Sequence, residues 1–395
     1  MKLSKPSQLV LVSTIGLLVA SLFTACQLVT IDFVYLAGTV GIQGFAVDSQ
    51  SGALRTGVST VASGGNSPVA MALSPDYANL YVANSDNNTV VHFALGSNGE
   101  LTKKESVTLP GPPTSLAVNH GNNFLYVAYG ASTANLAVYP LSSGNIGSAA
   151  ANEALTIPGF DADTVLATGV AVLPNNAAVY VTAYDKSAYN PGGTVTSSAS
   201  PGWVFGFGIN TSGALTPSAA SPYQTGIKPS ALAADSTSRF VYVTDNASNH
   251  LIGYSVSSGS TLNFLISGPF KTGAEPSSVV IDPRAKYIYV SNSLDSSVSA
   301  YSIDLATGVP SAVINVTGSQ INATDPQPVS IAVDPALGRF VYTANYLGDS
   351  ISGFQLNPDT GALQPSQATP YPSQSHPTAL AIVPHGNHSL EVITP

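Results

Sequence analysis

The sequence predicts an all-β protein, and three observations carry that prediction. First, a motif recurs at a period of roughly fifty residues: a proline, a short apolar run, a turn, then an aromatic-Val pair closing on a small or polar residue. Second, no stretch beyond the first 26 residues shows apolar residues sustained at the three-and-four spacing of a helix face. Third, Asn, Asp, Pro and Gly punctuate the chain between short apolar runs, as turn-forming residues should. Four short strands per unit, repeated radially, predict a β-propeller.

The first strand of each unit follows Pro68, Pro113, Pro229, Pro276 or Pro328, with a proline-less copy from Ala167. Residues 69–73, 115–119, 231–234, 279–281 and 331–333 are small and β-branched, the composition of a strand covered on both faces. Turns follow at Pro75-Asp76, Asn122-Asn123, Asp282-Pro283 and Asp334-Pro335. The second strand carries Tyr35, Tyr81, Tyr126, Tyr180, Tyr242, Tyr289 or Tyr342. The third alternates apolar and polar residues, as at 90–93, 136–139, 204–207 and 298–301. A Gly-x-Leu hairpin signal at Gly52, Gly99, Gly213 and Gly361 announces the outermost strand.

The Tyr strand occurs seven times, and its first copy has no proline strand before it. The proline strand or its equivalent also occurs seven times, ending at residues 376–383. The C-terminal strand should therefore complete the N-terminal blade, giving seven blades of four antiparallel strands and no open edge. Residues 389–393 would add a further strand or a tail.

The N-terminus predicts export. Lys2 and Lys5 precede the apolar residues 9–23, and residues 22–26 read Leu-Phe-Thr-Ala-Cys. Cys26 is the only cysteine, so no internal disulfide can form. Small residues ahead of it resemble a bacterial lipoprotein lipobox, with Phe23 where leucine is usual. That implies lipidation at Cys26 and a membrane anchor in the cell envelope, facing the periplasm or the cell surface. A plain secretory signal or an uncleaved anchor are the alternatives. The expected organisation is a signal at 1–26, a tether at 27–32 and one propeller at 33–395. A tether so short spans at most roughly 25 Å.

Charged residues make up 8% of the chain and the net charge is −9, so the basic patch that nucleic acid requires is missing. The repeats resemble the YVTN-type repeats of the seven-bladed lactonase family, whose best-known members hydrolyse 6-phosphogluconolactone. The resemblance covers nearly all of the mature chain and implies a lactone hydrolase. It rests on packing and turn residues.

Propellers bind ligands where the loops before first strands and after second strands converge. The slots before the first strands hold Ser67, Pro112, Lys228, Glu275, Gln327 and His376. Lactone hydrolysis needs a base for water and a donor for the oxyanion, so His376 or Glu275 as base and Lys228 as cation are the candidate catalytic residues. The candidate ligand residues are Asn84, Tyr129, Asp245, Asn292 and Asn345 at second-strand ends, with Tyr184, Lys186 and Tyr189 brought to the same mouth by the long loop 185–202. Asn84, Asp245, Asn292 and Asn345 also suit Asx turns, and better than a Ca²⁺ ring, which wants more carboxylates. No His pairing fits zinc, so no metal or cofactor is expected.

The four arginines weigh against a phosphorylated substrate, because Arg239, Arg284 and Arg339 fall in turns at the opposite mouth and Arg55 on an outer strand. Two readings follow. One is an envelope-anchored binding or scaffold module for a small molecule, glycan or protein. The alternative is an extracytoplasmic hydrolase of a lactone or related ester.

Overall fold

The computed structural model describes residues 29–157, 165–186 and 201–386. Seven antiparallel sheets are arranged around a central channel, as expected. The inner strands are Ala379–Pro384, Pro68–Leu73, Pro113–Val118, Val165–Val172, Pro229–Ala234, Pro276–Ile281 and Pro328–Val333, which define blades 1 to 7. Each pairs with a second strand whose side chains are almost wholly buried, such as Asn79–Asn84 or Tyr287–Asn292. Blade 1 closes as the strand count requires, Ala379–Pro384 pairing with Thr30–Gly38 from Ala37↔Ala379 to Asp32↔Pro384. That second strand begins at Thr30, so the propeller takes in residues assigned above to the tether.

The outer position departs from one continuous strand in blades 3 to 7. There two short pieces pair with the third strand, as Leu215–Pro217 and Tyr223–Gln224 do with Gly202–Ile209. Pieces this short carry no alternation, which hides them from sequence reading.

The repeated tyrosine is a latch between blades. Tyr35 Oη donates to Gly99 O (2.7 Å), Tyr81 to Gly144 O (2.6 Å), Tyr180 to Ser260 O (2.8 Å) and Tyr242 to Gly308 O (2.6 Å). Tyr289 reaches Gly361 O (2.9 Å), and Tyr342 closes the circle on Gly52 O at 2.7 Å. Every acceptor lies in the outer hairpin of the next blade. Tyr126 is the exception, its buried hydroxyl having no partner. The latch also explains the hairpin glycine. Gly52 has φ +67°, and a Cβ there would lie 2.5 Å from the Phe340 ring; Gly99, at φ +82°, faces Phe33 in the same way. The core is accordingly a set of clusters between neighbouring blades, such as Val34, Leu36 and Phe45 of blade 1 against Phe340 and Tyr342 of blade 7.

Candidate functional site

Among the described residues the channel wall supplies no acid or base. Its wall is built from the residues that follow each proline slot, in a cavity of 300 Å³ lined by Val69, Thr114, Thr168, Ser230, Ser277, Val329 and Thr378 and the two residues after most of these. The hydroxyls are already used. Ser230 Oγ donates to Pro276 O, Ser277 Oγ to Pro328 O and Thr378 Oγ1 to Pro68 O, each at 2.7 Å, stitching one inner strand to the next.

Ionisable side chains begin two residues earlier, just before the proline, at the mouth. Lys228, Glu275, Gln327 and His376 precede the inner strands of blades 5, 6, 7 and 1 and so form an unbroken arc. Glu275, Gln327 and His376 have φ of +52°, +58° and +51°. A residue before proline prefers extended backbone, and left-handed φ is costly for non-glycine residues. The surrounding turns hold this conformation. Glu275 N–H donates to Asn249 Oδ1 and His376 N–H to Asp349 Oδ1, both at 2.8 Å, each from the preceding blade. The carbonyls of Lys228, Glu275 and Gln327 accept from Asn246, Ser293 and Tyr346 N–H at 2.8–2.9 Å.

The side chains follow. The His376 ring lies 4.7 Å from that of Tyr346, and its Nδ1 is 2.8 Å from Ser375 Oγ. Lys228 Nζ donates to Asn246 Oδ1 at 3.2 Å. Glu275 is exposed, with Ser293 Oγ 3.5 Å from its Oε2. The structure thus brings the three candidate catalytic residues to one arc of one mouth.

The candidate ligand residues divide differently. Asn84, Asp245, Asn292 and Asn345 have no exposed surface, which corrects the expectation that they meet a ligand. Asn292 Nδ2 donates to Ser297 and Ser299 Oγ, and Asn345 Nδ2 to Ser350 and Ser352 Oγ. Asn84 Nδ2 donates to Ser63 O. Asp245 accepts the amides of Ile227 (2.7 Å) and Lys228 (2.8 Å), so its work is to place the lysine slot. Tyr129 is also a correction: it is 4% exposed, packed among blades 2 and 3, with its hydroxyl on Asn152 Oδ1. Tyr184 and Lys186 are half-buried at the rim, and Lys186 Nζ donates to Ala131 O at 2.7 Å. Tyr189 and Cys26 lie outside the described residues.

The opposite mouth holds the arginines, as expected. Arg284 Nε donates to Asp282 Oδ2 (2.7 Å) and its Nη2 to Gly338 O; Arg239 Nη2 donates to Leu305 O. Sequence reading missed Asp32 there. It is wholly buried, and neither carboxyl oxygen has a hydrogen-bond partner among the described residues. Burial, reinforced by Asp334 and eased by Arg339, pushes its pKa up to about 9. Nothing in its sequence context distinguishes it from a surface aspartate.

The fold is a closed seven-bladed propeller, and the arc gathers the candidate catalytic residues at one of its mouths. Residues 33–165 and 209–329 match the family model described as the 7-bladed β-propeller lactonase, and the chain belongs to that family. A 77-residue segment is 36% identical to the 6-phosphogluconolactonase of Xenorhabdus nematophila, covering 19% of this chain and 23% of that enzyme. The periplasmic gluconolactonase of Pseudomonas aeruginosa superposes with a TM-score of 0.71 at 19% identity, over 90% of this chain and 99% of its own. A structure titled a putative 6-phosphogluconolactonase from Bacteroides fragilis gives 0.69 at 19% identity, over 89% and 98%.

Proposed function

We propose that the protein hydrolyses a lactone or a related carboxylic ester at the mouth formed by blades 5, 6, 7 and 1. The observation that carries this is the arc Lys228–Glu275–Gln327–His376, three of whose members are held at left-handed φ in a chain of the lactonase family. Membership favours this reading over the binding or scaffold role, which the sequence put first.

His376 or Glu275 takes a proton from water as the oxygen attacks the ring carbonyl carbon. Lys228 stabilises the oxyanion of the tetrahedral adduct. Collapse breaks the ring C–O bond, and the proton returns to the leaving alkoxide, giving a hydroxy acid. The Ser375 hydroxyl, 2.8 Å from Nδ1, and the Tyr346 ring position the His376 imidazole.

Export fits the leader ending at Cys26 and the periplasmic location named for the Pseudomonas relative. Lipidation at Cys26 would tether the propeller close to its membrane. The test is acid release by residues 27–395 from δ-gluconolactone and simple δ-lactones, followed in a pH-stat. Turnover lost with His376→Ala or Glu275→Gln supports the reading, and no turnover on any lactone refutes it.

A further inference from the structure

The geometry points to an uncharged lactone carrying an apolar substituent as the substrate class of this mouth. This rests on the hydrolase reading above and goes beyond it in naming what the site selects.

Two features of the rim carry the inference. The first is apolar. Leu294, Leu347 and Val40 are 67%, 63% and 65% exposed, and it is their grouping on neighbouring blades that carries weight. Each stands two residues past the end of a second strand, at Asn292, Asn345 and Gly38. That puts them on blades 6, 7 and 1, the consecutive blades whose slots hold Glu275, Gln327 and His376. The same position holds Asp86, Ala131 and Ala247 in blades 2, 3 and 5. The apolar rim therefore borders three of the four blades of the ionisable arc and gives way to Ala247 at the fourth, the blade of Lys228. Adjacent apolar and polar groups are how small-molecule sites grip a body and orient a head.

The second feature is charge. On this arc Glu275, Asp295, Asp325 and Asp349 outnumber two lysines, Lys228 in its slot and Lys271 beside Asp295. Asp295 is held by the Ala274 amide (2.6 Å), Asp349 by the His376 amide (2.8 Å) and Asp325 by the Ser350 hydroxyl (2.7 Å). These donors are neutral, so the negative charge stays at the mouth and repels an approaching phosphate or carboxylate. An anionic sugar lactone is disfavoured by both features, and an alkyl-substituted neutral lactone by neither.

The experiment uses residues 27–395 and two readouts. The first is kcat/KM on δ-valerolactone, δ-decalactone, δ-gluconolactone and 6-phosphogluconolactone at low and high salt. The second is the Kd of a pentyl-substituted δ-lactam against that of the unsubstituted δ-lactam, which needs no turnover. The expected result is at least a tenfold preference for the alkyl compound in both, cut about tenfold by Leu294→Ser with Leu347→Ser. Activity on 6-phosphogluconolactone should be weakest and should rise with salt. Turnover without chain preference, or with the phosphorylated lactone preferred, overturns this inference and leaves the hydrolase reading standing. Alkyl-lactam preference without any turnover upholds the specificity and refutes the hydrolase. A flat lactam series without turnover refutes both.

Discussion

Replacing Asp32 with asparagine should make the propeller more stable at neutral pH and flatten its stability profile. The side chain is fully buried, faces the carboxylate of Asp334, and keeps its proton up to about pH 9. In the unfolded chain the same group ionises near 3.8. Between those values the native state binds one more proton than the unfolded state, so stability falls as pH rises. Each pH unit in that window costs about 1.4 kcal/mol. From pH 4 to pH 7 the loss is about 4 kcal/mol at most, and about 2–4 kcal/mol if neighbouring groups relax.

Asparagine keeps the shape and cannot titrate. Carboxylates held below their ordinary range, such as Asp48 and Asp86, act in the opposite direction and at lower pH, and they are common to both proteins. Urea midpoints for wild type and Asp32→Asn at pH 4.5, 6, 7 and 8 would isolate the difference. The variant should match wild type near pH 4.5 and exceed it by a growing margin above. Parallel curves would refute the argument that Asp32 is buried uncharged.

Other outcomes follow from the blade latches and the mouth. Tyr342→Phe removes the closer of two tyrosine donors to Gly52 O, leaving Tyr371 Oη at 3.4 Å, and should cost about 1 kcal/mol, whereas Tyr126→Phe, whose hydroxyl has no partner among the described residues, should be neutral or stabilising; thermal melts of the pair decide this. Gly52→Ala must clear the Phe340 ring 2.5 Å away at φ +67° and should cost about 2 kcal/mol or more in denaturant titrations. Asp349→Ala removes the acceptor that holds the His376 amide and should lower kcat/KM about tenfold with little change in melting temperature.

The architecture was legible because repetition exposes it. Seven tyrosines and seven inner strands at matched offsets fixed the blade count, and the unpaired ends fixed the closure. Repetition does not tell direction. Nothing in an aromatic-Val pair reveals that the hydroxyl crosses to the next blade, and hairpins at Gly144, Ser260 and Gly308 accept the same bond without a Gly-x-Leu signal. The strand-end Asn and Asp positions were misread as surface groups because an amide serves a turn, a ligand or a buried network equally well. Their partners, Ser299 and Ser352, lie on the third strand and become visible only with the register in hand. The mouth was legible in one respect: Lys228, Glu275 and His376 stood out as ionisable groups in a slot otherwise filled by Ser67, Pro112 and Gln327.

The central claim is that chemistry resides at the mouth where the blades differ, and not in the channel or at the opposite face. The most direct measurement is kcat/KM on δ-lactones for Lys228→Ala, Glu275→Gln and His376→Ala beside Asp32→Asn. At least one of Glu275→Gln and His376→Ala should lose about a hundredfold or more, Lys228→Ala should lose about tenfold to a hundredfold, and Asp32→Asn should retain wild-type turnover. Activity that survives all three mouth variants, or vanishes with Asp32→Asn in a folded protein, would contradict the account.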